Sequence, residues 1–294
     1  MNELARLRFR ISRPDIVLFF NDYEKKVFDF NDISNILAKN RRFWRLPRNL
    51  TTSEFINLLT KRTKLKSYKL DFPRKKYTRF VWGDTSVYKL ALSIERNSYF
   101  THYTALYWHD LTDQIPKTIY VNCEQPQKRY KPETLLQSNI DRAFKNSQRQ
   151  SKNIAIIGDF RICMLNGKYT DRLGVTEITT DENEKITLTN VERTLIDIVV
   201  RPAYSGGIYE VLNAYRRAAK KVSINKLSVM LRKLKYIYPY HQAIGFFLER
   251  AGVYRESQIR LLKKFDFEYD YYMTHQMKET QYSKEWRLYY PKGF

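Results

Sequence analysis

Cysteine is scarce in this chain: Cys123 and Cys163 stand forty residues apart, and only four histidines accompany them. No CxxC pair or Cys/His cluster has zinc-ligand spacing, so no metal is expected, and the two cysteines read as reduced thiols of an intracellular protein. Nine glycines and nine prolines leave no room for collagen-like or low-complexity stretches. No apolar run approaches the roughly 18 residues of a membrane span. The opening MNELARLRFR has charges but no following apolar segment, so it does not read as a secretory signal. A cytoplasmic protein with no membrane partner is expected. The phosphate loop GxxxxGK[ST], the dinucleotide fingerprint GxGxxG and the nucleophile elbow GxSxG are all missing. No cofactor and no enzymatic activity are expected.

What is abundant is positive charge. The 294 residues carry 53 Lys and Arg against 31 Asp and Glu, a net of +22. Twenty basic and eight acidic residues fall between Met1 and Trp82, so the first quarter holds +12 of that net charge. Charge of this size speaks to partners rather than to fold, and its position marks the N-terminal region as the nucleic-acid candidate. Apolar residues make up 43% and aromatics 15%, enough for sizeable cores, and the length fits two domains. No internal repeat is evident.

Along the first ninety residues, Pro14 followed by Asp15–Tyr23 reads as a short helix, because proline is tolerated at a helix start. Val27 and Phe28 read as a short strand. Asn31 or Asp29 caps a second helix with Ile33, Ile36 and Leu37 on one face. Thr51-Thr52-Ser53-Glu54 is a capping box opening a third helix, with Phe55, Leu58 and Leu59 inward. Lys64–Asp71 and Tyr77–Trp82 then form two short strands around a basic tip, Phe72-Pro73-Arg74-Lys75-Lys76. Three short helices followed by a basic hairpin is the winged-helix pattern. Thr51, Thr52, Ser53, Asn57, Lys61 and Arg62 of the third helix, with Arg74, Lys75 and Lys76 of the hairpin, are the candidate DNA-binding residues. Asn57, Thr52 and Ser53 suit base edges, and the Lys and Arg side chains suit phosphates.

Beyond, Ser86–Leu111 reads as two helices around Asn97-Ser98. Ile119–Val121, Ile154–Ile157, Phe160–Leu165, Ile178 and Ile186–Leu188 read as strands of a small sheet, with Asn166-Gly167 as a hairpin turn. Residues 125–152 are the most loop-like, with a helical turn at Asp141–Phe144. Helices follow over Asn190–Val200 (capped by Thr189, with Glu192 completing a box), Ile208–Lys221, Ile224–Lys235 (capped by Ser223) and Pro239–Arg250, ending at Gly252. Ile259–Leu262 reads as a short helix, and Phe267–Met273 and Trp286–Tyr290 as aromatic-rich strands. The expected fold is α+β: an N-terminal winged helix-turn-helix domain over 1–84, then a larger mixed α/β domain over 85–294 with a small sheet and a helical bundle.

Four ordered blocks carry a family resemblance: YFTHYTALYWHDLTDQIP (Tyr99–Pro116), IYVNCE (Ile119–Glu124), TNVERTLIDIVVRPAYSGG (Thr189–Gly207) and YPYHQAIGFFLERAG (Tyr238–Gly252). The chain resembles the AbiEi-type antitoxins and transcriptional regulators of bacterial abortive-infection, type IV, toxin–antitoxin systems over roughly residues 15–290. The first block is similar to the family's SHxTAL…HGLT…P pattern, with Thr101 where Ser is usual and Asp110 where Gly is usual. The resemblance implies an N-terminal winged helix that represses its own operon by binding inverted repeats of double-stranded DNA. It also implies a C-terminal domain that counters a cognate nucleotidyltransferase-type toxin, and so a role in phage defence.

Other groupings invite chemistry. His102 and His109 lie two helical turns apart, where a metal or acid–base role competes with buried packing histidines. His241-Gln242, after the YPY run, reads as an active-site pair or as part of a helix start. Glu192 and Asp197 on one helix face would suit Mg²⁺ in a nuclease, the alternative function: a metal-dependent nuclease with a winged-helix targeting domain. A cap at Glu192 and an Arg193–Asp197 pair explain the same residues without catalysis. Arg201, Arg216, Arg217, Lys220 and Lys221 form the main basic concentration of the second domain, a candidate surface for the toxin or a second stretch of DNA. Monomer and homodimer on DNA are both left open.

Overall fold

Ala5, Phe9, Ser12, Ile16 and Phe20 repeat at spacings of three and four and bury one face of a 20-residue helix, α1 (Glu3–Asp22), which runs through Pro14. The helix begins well before the start expected at Asp15. Proline removes the hydrogen bond to the carbonyl of Arg10, but both residues are exposed, away from the buried apolar face that holds the helix together. The molecule, described over residues 3–127 and 134–294, is a computed structural model. Part of the loop-like stretch expected over 125–152 lies outside the described residues.

The chain divides into two compact units. The first comprises Met1–Arg96 and Asn153–Phe160, the second Asn97–Lys152 and Arg161–Phe294. The expected division at residue 84 falls short of this one. Arg79 is buried, and its guanidinium donates to the carbonyls of Ser93 (2.9 Å) and Ile94 (2.8 Å), which ties the segment after residue 84 to the first unit.

After α1 the first unit contains β1 (Val27–Phe28), α2 (Phe30–Asn40), α3 (Thr52–Arg62), β2 (Leu65–Asp71), β3 (Lys76–Trp82) and α4 (Val87–Leu92). Its sheet has the order β1-β3-β2, antiparallel throughout, with Phe28 opposite Phe80 and Asp71 opposite Lys76. Asp29, rather than Asn31, caps α2: its carboxylate accepts from the Asp32 N–H, and Asp32 reciprocates, each at 2.8 Å. Aromatic rings fill the space between helices and sheet. Phe20 stacks on Trp82 at 4.7 Å, and Trp44 stacks on Phe55 at 5.9 Å.

The second unit begins with β4 (Tyr99–Phe100), α5 (His102–Trp108), β5 (Thr118–Asn122) and α6 (Gln137–Lys145). The chain then passes through β6 (Ile154–Ile157), which groups with the first unit, and continues in β7 (Phe160–Leu165), β8 (Val175–Thr179) and β9 (Lys185–Thr189). The strands of the second unit lie in the order β7-β5-β4-β9-β8, with β5–β7 and β4–β9 parallel and the other pairs antiparallel. Asn166-Gly167 closes no hairpin. Gly167 lies against Asn122, whose Oδ1 accepts its N–H at 2.9 Å and would be 2.6 Å from any Cβ placed there.

Helices α7 (Val191–Val200), α8 (Ile208–Ala218), α9 (Ile224–Leu234) and α10 (Tyr240–Ala251) follow, then the short α11 (Glu256–Ile259). The cap of α7 is Asn190, whose side chain accepts from the Arg193 N–H at 2.9 Å. Thr189, expected in that role, is the last residue of β9, and its hydroxyl instead meets that of Thr194 at 2.8 Å. A small sheet of β10 (Tyr271–Tyr272), β11 (Thr280–Ser283) and β12 (Leu288–Pro291), in the order β10-β12-β11, completes the unit. Its core gathers Leu195, Ile198, Tyr215, Leu227, Phe247 and Trp286. The mixed α and β character expected from the sequence is what the chain adopts. No helix among the described residues is long and apolar enough to cross a membrane.

Candidate nucleic-acid interface

The capping box at α3 forms as its sequence requires. The Glu54 N–H donates to the Thr51 hydroxyl at 3.2 Å, and the Thr51 N–H donates to the Glu54 carboxylate at 3.0 Å. That second bond holds the Glu54 carboxyl below its ordinary value. Phe55, Leu58 and Leu59 face inward. At 3.6 residues per turn, Ser53, Asn57, Thr60 and Lys61 then fall within about 100° of one another on the outer face. All four are exposed.

Two of the residues expected on that face are placed differently. Thr52 turns toward α2 and donates to the Ser34 hydroxyl at 3.1 Å. Arg62 is exposed at the helix end but lies about 180° from Ser53, in line with the buried residues. The outer face is therefore Ser53, Asn57, Thr60 and Lys61, while Thr51 is the N-cap at the start of the helix. Thr60 carried no separate signal beyond its helical spacing.

The hairpin tip is also differentiated. Phe72 is buried and meets Tyr77 edge-on, which anchors the four residues between the strands. Lys75 lies 4.5 Å above the Tyr77 ring and 3.1 Å from the Glu95 carboxylate, which also accepts from the Tyr77 hydroxyl. The hydrogen bond with Glu95 raises the Lys75 pKa. Arg74 and Lys76 are exposed and make no ion pair among the described residues. More cations precede α3: Arg42, Arg45 and Arg48 are exposed, and Arg45 has a φ of +51°. Arg41 donates to the Pro47 carbonyl at 2.6 Å and shapes that turn. These arginines are visible in the sequence as the run Asn40–Asn49, but only the fold puts them ahead of the helix N-terminus.

The basic concentration of the second unit resolves into separate parts. Arg217 pairs with Asp113, and Lys221 pairs with Asp110 at 3.1 Å while donating to the His109 carbonyl at 2.7 Å. Arg201 caps α7 and donates to the Arg149 carbonyl at 2.7 Å. Arg216 and Lys220 remain exposed without an acidic partner among the described residues.

The groupings with catalytic appearance are engaged in structural contacts. The Asp197 carboxylate accepts from Arg193 Nε at 2.8 Å and from the Thr101 hydroxyl at 3.0 Å. Glu192 accepts from the Ser223 N–H at 3.0 Å. His109 Nε2 lies 2.6 Å from the Thr189 carbonyl oxygen, whereas His102 begins α5 with a φ of +52° and meets the Tyr204 ring edge-on at 5.3 Å. His241 stacks on Phe265 at 5.0 Å, and the Gln242 amide donates to the Tyr269 carbonyl at 2.8 Å. Burial pushes the His102 and His241 pKa values down to about 4. Among the described residues no group of three or more His, Cys, Asp or Glu side chains is arranged to hold a metal ion.

Three of the four sequence blocks interlock in this region. Tyr99 donates to Glu124, Asn122 to Tyr99, Thr101 to Asp197, and the Tyr120 N–H to the Thr104 hydroxyl. Asp110 has a φ of +55°, in the left-handed region that favours glycine.

No family model and no curated protein matches the chain. In fold it is similar to a solved structure described as the RV2827C protein from Mycobacterium tuberculosis. That likeness has a TM-score of 0.61 and 15% sequence identity, and covers 95% of this chain and 91% of the other.

Proposed function

We propose that the first unit is a winged helix that binds double-stranded DNA and that the protein is an operon repressor and antitoxin of AbiEi type. The observation that carries the DNA reading is the outer face of α3. Ser53 and Asn57 have short polar side chains suited to base edges in the major groove, and Lys61 on the same face suits a phosphate. Thr51 stands at the N-terminus of α3, where a backbone phosphate meets the helix dipole. Arg74 and Lys76 at the hairpin tip, with Arg42, Arg45 and Arg48 before the helix, reach the flanking backbone. Lys75 is a reserve cation held by Glu95, and Arg62 lies off the groove.

The antitoxin half rests on the sequence blocks, and the interlocking of Tyr99, Thr101, Asn122, Glu124 and Asp197 gives most of those blocks a shared structural purpose. The partner is a cognate nucleotidyltransferase-type toxin, and of the basic concentration Arg201, Arg216, Arg217, Lys220 and Lys221, it is Arg216 and Lys220 that are left to meet it or a second stretch of DNA. No chemistry is assigned to the protein itself.

The test is a footprint on the DNA upstream of the protein's own gene, with Mg²⁺ present, at low and moderate salt. A protected inverted repeat on intact DNA supports the reading, and cut DNA replaces it with the nuclease. Rescue of cells expressing the neighbouring toxin tests the antitoxin half, and failure of rescue removes it.

A further inference from the structure

Helix α1 carries a second apolar stripe, on the side away from its own core. Leu4, Leu7, Ile11 and Leu18 are 49%, 44%, 62% and 61% exposed. Their spacings of three, four and seven are those of heptad positions a, d, a and a, with Pro14 at the intervening d. The buried Ala5, Phe9, Ser12 and Ile16 fall at b and f of the same heptads. The helix thus presents one apolar stripe to its own unit and a separate seam to solvent.

The flanking charges say what covers that seam. In this register Glu3 and Arg10 occupy g, and Arg8 and Asp15 occupy e. All four are exposed, and none makes an ion pair among the described residues. In a parallel helix pair each g residue meets the e residue five positions on in the other helix. A second copy therefore sets Glu3 against Arg8 and Arg10 against Asp15, each opposite in sign and each formed twice by symmetry. An antiparallel pair centred on Ile11 sets Arg10 near its own counterpart instead. We propose that α1 pairs in parallel with α1 of a second copy of this chain.

The seam is short. Four half-exposed aliphatic side chains per copy fall well below the ~1,200–2,000 Å² buried by stable interfaces, so the pairing is weak between free chains. It strengthens where two copies are held close, as on neighbouring half-sites of DNA, because the second contact is then intramolecular.

Sedimentation of the full chain without DNA, over a concentration series at low salt, tests the pairing independently of the DNA reading. The expected result is a concentration-dependent dimer that Ile11→Glu abolishes while the melting temperature stays unchanged. Arg10→Glu weakens association about fivefold or more, and adding Asp15→Arg to it restores the dimer. Leu18→Cys forms a disulfide with its counterpart under mild oxidation, beyond the background from Cys123 and Cys163, because a parallel seam brings equivalent positions together. A chain that stays monomeric at every concentration overturns the proposal. So does a dimer indifferent to both Ile11→Glu and the charge exchange, and a Leu18→Cys chain that cross-links no more than its parent overturns the parallel arrangement.

Discussion

Arg193 and Asp197 form an ion pair of 2.8 Å one helical turn apart, with only 6% and 7% of their side chains exposed. Both oxygens of the carboxylate are occupied, one by Arg193 and the other by the Thr101 hydroxyl, which joins α7 to the start of α5. Arg193 also donates to the Leu173 carbonyl at 2.7 Å. A buried pair of this kind is costly to break from one side, because the remaining charge is left without compensation.

Asp197→Ala is therefore expected to destabilise the fold by roughly 3–5 kcal/mol, read as a fall in chemical-denaturation midpoint. Replacing both partners, Arg193→Met with Asp197→Leu, is expected to cost less than Asp197→Ala alone. A carboxylate placed for Mg²⁺ predicts the opposite pattern: Asp197→Asn leaves stability intact and abolishes metal-dependent cleavage. Denaturation of the single and double variants, beside a cleavage assay, separates the two.

The cations of the first unit are predicted to be unequal in DNA binding. Lys61→Ala lowers the magnitude of the salt slope of log Kd by about one, the value for one lost phosphate contact. Arg62→Ala leaves the slope within error, because Arg62 projects from the other side of α3. Asn57→Ala costs about 1–3 kcal/mol at its preferred site and relaxes discrimination there. Glu95→Gln releases Lys75 from its carboxylate and steepens the slope. Titrations at several salt concentrations check all four. Equal effects of Lys61→Ala and Arg62→Ala contradict the orientation of α3.

These distinctions mark the limit of what the sequence carries. The cap of α3 was legible, and that of α2 was narrowed to Asn31 or Asp29, because Asp29, Thr51 and Glu54 act within three residues of themselves. The first half of α1 was not, since Pro14 marks a helix start as readily as it interrupts a helix held by tertiary packing. The engagement of Lys75 with Glu95 and of Lys221 with Asp110 joins residues 20 and 111 positions apart, beyond any local pattern. The return of residues 153–160 to the first unit is non-local in the same way. Arg62 was within reach: the helical period alone separates it from Ser53.

Gly245 illustrates a constraint that burial patterns hide. It sits within α10 with its Cα against the indole of Trp286, whose Cζ3 would be 2.0 Å from any Cβ placed there. The indole is itself fixed, its Nε1 donating to the Glu249 carboxylate at 2.7 Å. Alanine elsewhere in a helix interior gains about 0.5–1 kcal/mol over glycine. Here the overlap reverses the sign, and Gly245→Ala is expected to cost about 1–3 kcal/mol. A variant melting at or above the parent temperature would show that the indole moves freely.

Acid should destabilise the second unit before any carboxylate network fails. Burial holds the His102 and His241 pKa values at about 4, whereas an unfolded chain takes up these protons near pH 6.5. Between those two values the unfolded state binds protons that the folded state refuses, so stability falls as pH falls. The loss is on the order of 3 kcal/mol per histidine, complete near pH 4 and negligible above pH 7. His241 is the clearer probe, because its ring stacks on Phe265 and phenylalanine preserves that contact. His241→Phe is expected to flatten the dependence of stability on pH between about 6.5 and 4, whatever its effect at neutral pH. Urea unfolding at half-unit steps of pH measures the slope directly, and an unchanged slope means that His241 protonates in place without opposing the fold.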